Sequence, residues 1–209
     1  MKNVLIKSGV LFVFGLTLSA CSTVPAPIPV AHSSNVGLKF DHVSGNYQFV
    51  DNRPYREIAR LDDISKSGYK YIQDEQFAKK ASGVFLSQLR FQGLKLDEID
   101  YDGGHRSLAK EPANTIRIML NKGIVNIKTD IHDDQTAYVS VEVSAAIKNE
   151  SNYYYTSYSG ATKAFMPAGK FTRNDIDQLL NKTLLTVVDK VSSDKSLVDF
   201  VQGSFPRYK

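Results

Sequence analysis

The segment from Tyr138 to Lys148 alternates without a break. Val139, Val141, Val143, Ala145 and Ile147 fall on one side, and Ser140, Glu142, Ser144 and Lys148 on the other. Period-two alternation makes a strand with one buried and one wet face, whereas on a helix the same residues would scatter around the axis. Neighbouring segments extend the pattern. Thr115 to Lys128 alternates through Ile116, Ile118 and Leu120, with Gly123 as a bulge before Val125 and Ile127. Lys148 to Asn152 supplies a turn, and Tyr153 to Phe165 returns as another β-rich strand. Three such strands predict an antiparallel meander with one apolar face to cover.

Two amphipathic segments can cover it. From Asp74 to Gln92, the residues Phe77, Ala81, Val84, Phe85, Gln88 and Leu89 share one helical face, with Asp74 as N-cap and Gly93 as stop. A longer helix opens at Thr172, with Asp175 three residues on in a near capping-box arrangement. Its stripe is Ile176, Leu179, Leu180, Leu184, Val187, Val188 and Val191, and Ser193 is expected to cap a short terminal helix carrying Leu197, Phe200 and Val201. Upstream, Val36 to Asp41, Tyr47 to Val50 and Leu94 to Leu96 read as short strands. Asp51-Asn52-Arg53-Pro54 reads as a turn, and Ile58, Leu61 and Ile64 as a further strand or turn. The expected fold class is α+β, a two-layer sandwich of a mainly antiparallel sheet with two amphipathic helices, occupying residues 36–209 as a single domain.

Residues 1–20 read as an export signal. Lys2 and Lys7 form a positive start, and Ser8 to Ala20 is uncharged around Val10-Leu11-Phe12-Val13-Phe14. Those 13 residues are too few for a membrane-spanning helix, which needs roughly 20. Without the signal the formal charge falls from +4 to +2, too little for a nucleic-acid surface. The one cysteine excludes an intrachain disulfide and any multi-Cys metal site.

That cysteine closes the signal. Leu18-Ser19-Ala20-Cys21 resembles the lipobox of bacterial lipoproteins. A thiol there can take a diacylglycerol as a thioether, and small Ala20 lets a peptidase reach the bond before Cys21. One acyl chain anchors only marginally, whereas several hold firmly. The resemblance implies an outer-membrane position on the periplasmic side, because Ser22 and not Asp follows the cysteine. Residues 21–35 then form a tether in which Pro25, Pro27 and Pro29 favour extended backbone reaching roughly 40 Å.

The chain also resembles the YajG family of bacterial outer-membrane lipoproteins. The resemblance is carried by Thr115-Ile-Arg-Ile-Met-Leu120, Val139-Ser-Val-Glu-Val143, Tyr153-Tyr-Tyr-Thr-Ser-Tyr158, Phe171-Thr-Arg-Asn-Asp-Ile-Asp177 and Asp194-Lys-Ser-Leu-Val-Asp-Phe-Val201. Leu89-Arg-Phe-Gln-Gly93 and the turn Asp51-Asn-Arg53 fit the same scheme, while the loop from Asp97 to Ala113 is longer and more acidic. The resemblance implies an envelope lipoprotein and carries no catalytic residue with it.

Other clusters weigh against chemistry. Glu98-Ile-Asp100-Tyr-Asp102-Gly103 mimics the start of a calcium loop, but the twelfth position is Ala109 where a bidentate carboxylate is required. Paired carboxylates in the same loop could serve glycoside hydrolysis only at a separation of about 5 to 9.5 Å, which a turn of this composition does not impose. His32, His42, His105 and His132 are scattered, and Asp130-Ile-His132-Asp133-Asp134 reads as a surface turn rather than a zinc site. Neither a Gly-x-Ser-x-Gly elbow nor a Gly-rich phosphate loop occurs. Cofactors and metals are therefore not expected. Tyr153, Tyr154, Tyr155 and Tyr158 crowd one strand, so alternation must divide them between faces. One set pairs across strands, and the other, with Tyr154 and Tyr158 as candidates, could bind a glycan or protein partner. The expected function is a non-enzymatic accessory or assembly factor of the envelope, anchored in membrane lipid through Cys21. A peptidoglycan-binding or secretion/flagellar-complex lipoprotein is the alternative, and an envelope glycan hydrolase the third.

Overall fold

The computed structural model describes residues 38–63, 69–99, 111–167 and 169–208. Signal, Cys21 and tether lie outside the described residues, as do His32, Ile64, His105 and the loop from 100 to 110. In chain order the elements are β1 (Val43–Asp51), β2 (Glu57–Asp63), β3 (Tyr69–Gln73), α1 (Gln76–Phe91), β4 (Leu94–Glu98), β5 (Thr115–Thr129), β6 (Gln135–Lys148), β7 (Tyr153–Met166), α2 (Arg173–Ser192) and α3 (Lys195–Ser204).

The meander expected from alternation is present as β5, β6 and β7. β6 and β7 stay in unbroken antiparallel register from Lys148 opposite Tyr153 to Gln135 opposite Met166. β5 and β6 pair along their lengths with one shift between Leu120 and Lys122, just before Gly123. The other edge of β5 is shared. Its first half pairs parallel with β1, from Asn46 opposite Thr115 to Asp51 opposite Leu120, and its second half pairs parallel with β2, from Ala59 opposite Val125. β4 extends the sheet parallel to β1, and β3 extends it antiparallel to β2. The sheet is therefore mixed rather than simply a meander with additions.

α1 and α2 both pack on the face carrying Ile116, Ile118, Leu120, Val139, Val141, Val143 and Ile147, all buried. α2 starts as a full capping box. Thr172 Oγ1 accepts from Asp175 N–H, and the Asp175 carboxylate accepts from Thr172 N–H. At the other helix Asp74 Oδ1 accepts from Gln76 N–H at 2.7 Å. Gly93 ends α1 at φ +102°, where a Cβ would lie 2.6 Å from Phe40 O. Gly160 serves a different purpose. It lets α2 settle onto β7, since a Cβ there would meet Val187 Cγ2 at 2.8 Å and Thr183 O at 3.0 Å.

Four local expectations change. The bulge of β5 falls at Asn121 and leaves Gly123 in regular register opposite Val141, and the N-cap of α1 is Glu75 rather than Asp74. No strand forms over Leu38 to Phe40 (Val36 and Gly37 fall outside the described residues). Instead Phe40 is buried and its N–H donates to Gln92 O at 2.7 Å, so this stretch seals the end of α1 rather than a sheet edge. The terminal helix is capped by Asp194, not Ser193. The Ser193 N–H still donates to Asp189 O within the last turn of α2, and the free carboxylate one residue later takes the N–H groups of Ser196 and Leu197.

Overpacking at the α2 contact makes a direct test of this arrangement. Gly160→Ala is expected to lower the unfolding free energy by about 2 kcal/mol, read as a fall of roughly 4–8 °C in Tm. Gly203→Ala, in α3 where a Cβ meets nothing within 4 Å, is expected to raise stability by about 0.5–1 kcal/mol.

Candidate functional site: the tyrosine strand and the open sheet face

Alternation divides the tyrosines of β7. Tyr154 and Tyr158 lie on the helix-covered side, half-buried and packed against the core. Tyr158 donates its hydroxyl to Asp194 Oδ2 at 2.7 Å, and Tyr154 donates to the same oxygen at 3.3 Å. The Tyr154 ring rests against Phe200, with centroids 5.6 Å apart. Because Asp194 Oδ1 meanwhile caps α3, one carboxylate fastens the terminal helix to the edge strand. Burial pushes Asp194 upward, but the donors from Tyr158, Leu197, Ser196 and Tyr154 outweigh it and hold its pKa below the ordinary value. The two phenols move up, first through burial and then through the hydrogen bond to, and charge of, that carboxylate. The structure thus gives Tyr154 and Tyr158 an anchoring task, and the aromatics that β7 turns outward are Tyr153, Tyr155 and Phe165.

The opposite sheet face bears none of the three helices' packing, and its side chains divide into three zones. Near the start of β5 a charged cluster is buried. Arg117 Nε donates to Gln48 Oε1 at 2.6 Å and its Nη2 to Glu111 Oε1 at 2.5 Å, while Lys148 Nζ reaches Glu111 O at 2.5 Å. Such a pair is a specifying device more than a source of net stability, because desolvation offsets most of the attraction. In the middle, a polar chain crosses the strands. Asn52 Nδ2 donates to Asn121 Oδ1 at 3.2 Å, Asn121 Nδ2 to Ser144 Oγ at 2.8 Å, and Tyr155 OH to Ser144 Oγ at 3.0 Å, with Ser157 Oγ 2.9 Å from the same oxygen. Tyr155 is fixed by its hydroxyl while the residue stays 65% exposed.

The third zone lies toward the end of β5. Arg60, Asn126, Tyr138 and Lys163 are successive register partners across β2, β5, β6 and β7, and Asp62, Lys128, Thr136 and Phe165 form the next row. Lys163 Nζ lies 5.5 Å and Lys128 Nζ 5.8 Å from the centre of the Tyr138 ring, within cation–π range. A groove of about 250 Å³ runs beside them, bordered by Arg60, Asp62, Asn126 and Lys128. Sequence inspection passed over these residues because each sits singly on the polar side of its strand. Only the register assembles them.

Where the chain changes from β1 to β2, Arg53 forks onto Asp51 with two contacts of 2.8 Å and lies 5.3 Å from the Phe77 ring centre. The adjoining cleft of about 130 Å³ is bordered by Pro54, Tyr55, Lys122 and Ile124. His42 packs edge-on against Tyr208. His132 lies in the β5–β6 turn, whose Asp130 Oδ1 accepts from the N–H groups of His132 and Asp134 at 2.8 and 3.0 Å. Among the described residues no three His, Cys, Asp or Glu side chains converge as a metal site requires. Of the calcium-like loop, Glu98 and Ile99 are described, and Ile99 N–H donates to Tyr47 O at 2.9 Å.

No protein-family model and no curated protein matches the chain. Similar solved structures include a Xanthomonas campestris protein of family DUF330, 8% identical with a TM-score of 0.48, covering 79% of this chain and 93% of that one. A PelC dodecamer from Paraburkholderia phytofirmans is 7% identical with a TM-score of 0.39, covering 76% and 94%. A minor lipoprotein from Acinetobacter baumannii is 10% identical with a TM-score of 0.32, covering 74% and 97%. With every TM-score below 0.5, they bear on neither activity nor partners.

The Asp194 junction has a pH signature. A carboxylate whose pKa is depressed by folding contributes stability above its unfolded value, and that stability is lost as pH falls through the folded one. Acid titration of stability is expected to show Asp194→Asn with a shallower loss below the ordinary carboxylate range than wild type. Tyr158→Phe, which removes one donor, is expected to cost about 1–2 kcal/mol at neutral pH in denaturant unfolding.

Proposed function

We propose that the chain is a periplasmic lipoprotein held in the outer membrane by acyl chains on Cys21, acting without catalysis as an accessory or assembly factor of the envelope. The observation that carries this reading is Leu18-Ser19-Ala20-Cys21 closing an uncharged segment behind Lys2 and Lys7. The solitary thiol stands where lipid attachment needs it, and a proline-rich stretch follows before the folded domain. The YajG-like strands and helices agree with this reading. Among the described residues no helix is long and apolar enough to cross a membrane, so the domain itself supplies no helical anchor there. A binding module fits the domain's build. The helices close one sheet face, and the other presents fixed aromatic and polar side chains, as peptidoglycan or an envelope protein would require of a partner surface.

Growth with a clickable fatty-acid analogue tests the anchor. Wild type is expected to take label and fractionate with outer membrane, while Cys21→Ala takes none and appears in neither membrane. Label on Cys21→Ala overturns the assignment, and labelled wild type in the inner membrane overturns the placement.

A further inference from the structure

The detour between β1 and β2 brings an unsatisfied donor and an unpaired strand edge to one cleft. Arg53 is 9% exposed. Its Nε and Nη2 donate to Asp51 at 2.8 Å each, and its guanidinium carbon lies 5.3 Å from the Phe77 ring centre. Nη1 is buried with no acceptor among the described residues. A buried donor without an acceptor is costly, so a position that keeps one is suited to an acceptor from outside. Arg53 borders the cleft of about 130 Å³ together with Pro54, Tyr55, Glu57 and the stretch of β5 from Asn121 to Ile124. That stretch is the part of β5 that neither upstream strand reaches. The register of β1 ends with Asp51 opposite Leu120, that of β2 begins with Ala59 opposite Val125, and Asn52 N–H closes onto Leu120 O at 2.9 Å. Strand backbone without a neighbour on one edge is a template for another extended segment.

We propose that this cleft takes an extended, uncharged peptide segment of a partner protein. One backbone carbonyl of the segment accepts from Arg53 Nη1, and its side chains rest on Pro54 and Tyr55. Charge balance selects a neutral group. The Arg53 cation is met by the Asp51 carboxylate, Lys122 stands 3.3 Å from Glu142, and Glu57 at the cleft follows Arg56 in the chain. An anion therefore gains no net attraction here. What Nη1 lacks is a lone pair, which a carbonyl oxygen supplies without bringing charge. The strand edge selects a peptide. It presents N–H and C=O groups at strand spacing, and an extended backbone answers both. Tyr55 is 71% exposed, so a ligand can cover its ring without moving the domain. The cleft is read from the domain alone, whereas assigning the peptide to an envelope protein rests on the anchoring proposed above.

The test starts from a phage-displayed library of random dodecapeptides selected on the detergent-purified protein. Enriched peptides are synthesised with both ends blocked and titrated into isotope-labelled protein by NMR. They are expected to shift the Arg53 guanidinium and the amides of Asn121 to Ile124 saturably, and to keep their affinity as salt is raised. Tyr55→Ala is expected to bind roughly tenfold more weakly at unchanged Tm. Arg53→Lys keeps a cation for Asp51 but removes Nη1, and is expected to weaken binding by a similar factor, roughly tenfold. If Arg53→Lys does not fold, the Tyr55→Ala result decides alone. Failure to enrich any peptide overturns the proposal, as do shifts confined to other strands or wild-type affinity in Tyr55→Ala. Binding that requires a free carboxylate end, or that inorganic phosphate displaces, overturns it too. Because lipid plays no part in this measurement, failure of fatty-acid labelling at Cys21 and failure of peptide binding are separate results.

Discussion

One edge of β5 serves two partners. β5 is fifteen residues long, and no single upstream strand matches it. β1 takes the first half and β2 the second, both parallel to it. Between them the chain must leave the sheet and return, and Asp51 to Arg56 is that detour. Its backbone cannot pair with β5 throughout, so side chains take over. Arg53 forks onto Asp51 and lies against Phe77 of α1, while Phe77 in turn occupies the space above Gly123, where a Cβ would come within 2.5 Å of its ring. The break in one strand and the bulge in its neighbour thus sit together and fix where α1 meets the sheet.

Both sheet faces engage charged side chains, for different reasons. On the helix side, Asp194 is engaged at both oxygens and ties the start of the terminal helix to β7. On the open side, Arg117 and Glu111 are nearly enclosed, with Gln48 bridging them. Removing one partner of such a pair strands the other and costs far more than the pair contributes. Glu111 adjoins the acidic loop, so this pairing also determines where that loop rejoins β5.

Alternation made β6 and β7 readable because an antiparallel hairpin needs only local sequence to set its register. The same pattern located the two long helices, whose stripes are local too, but it put the bulge at Gly123 where the register shifts at Asn121, and the first N-cap at Asp74 where the helix is entered through Glu75. What lay beyond reading was long-range. Parallel pairing of β1 and β2 with β5 leaves no signature in any window, and the strand expected before Asp41 failed because Gln92 at the end of α1 and Gln202 of α3 take its backbone groups. Ser193 and Asp194 are equally good caps by type. The choice fell to Asp194 because Ser193 is still held by the last turn of α2. Ser144 shows the limit from the other side. Alternation placed it on the wet face correctly, yet Asn121, Ser157 and Tyr155 converge on its hydroxyl and bury it.

The four tyrosines of β7 show how a single register divides anchored rings from exposed ones. Odd and even positions experience different solvents, so identical side chains on one strand take different tasks. Tyr154 and Tyr158 have their hydroxyls tied to Asp194 and their rings partly buried against the core. Tyr155 keeps its ring in water while its hydroxyl is held by Ser144, and Tyr138 keeps its ring outward between two lysines. Rings held in this way are pre-organised, so association need not also freeze them. The helices that cover one face therefore do more than bury apolar surface. By setting the strands rigidly, they hold the side chains of the uncovered face in place as well.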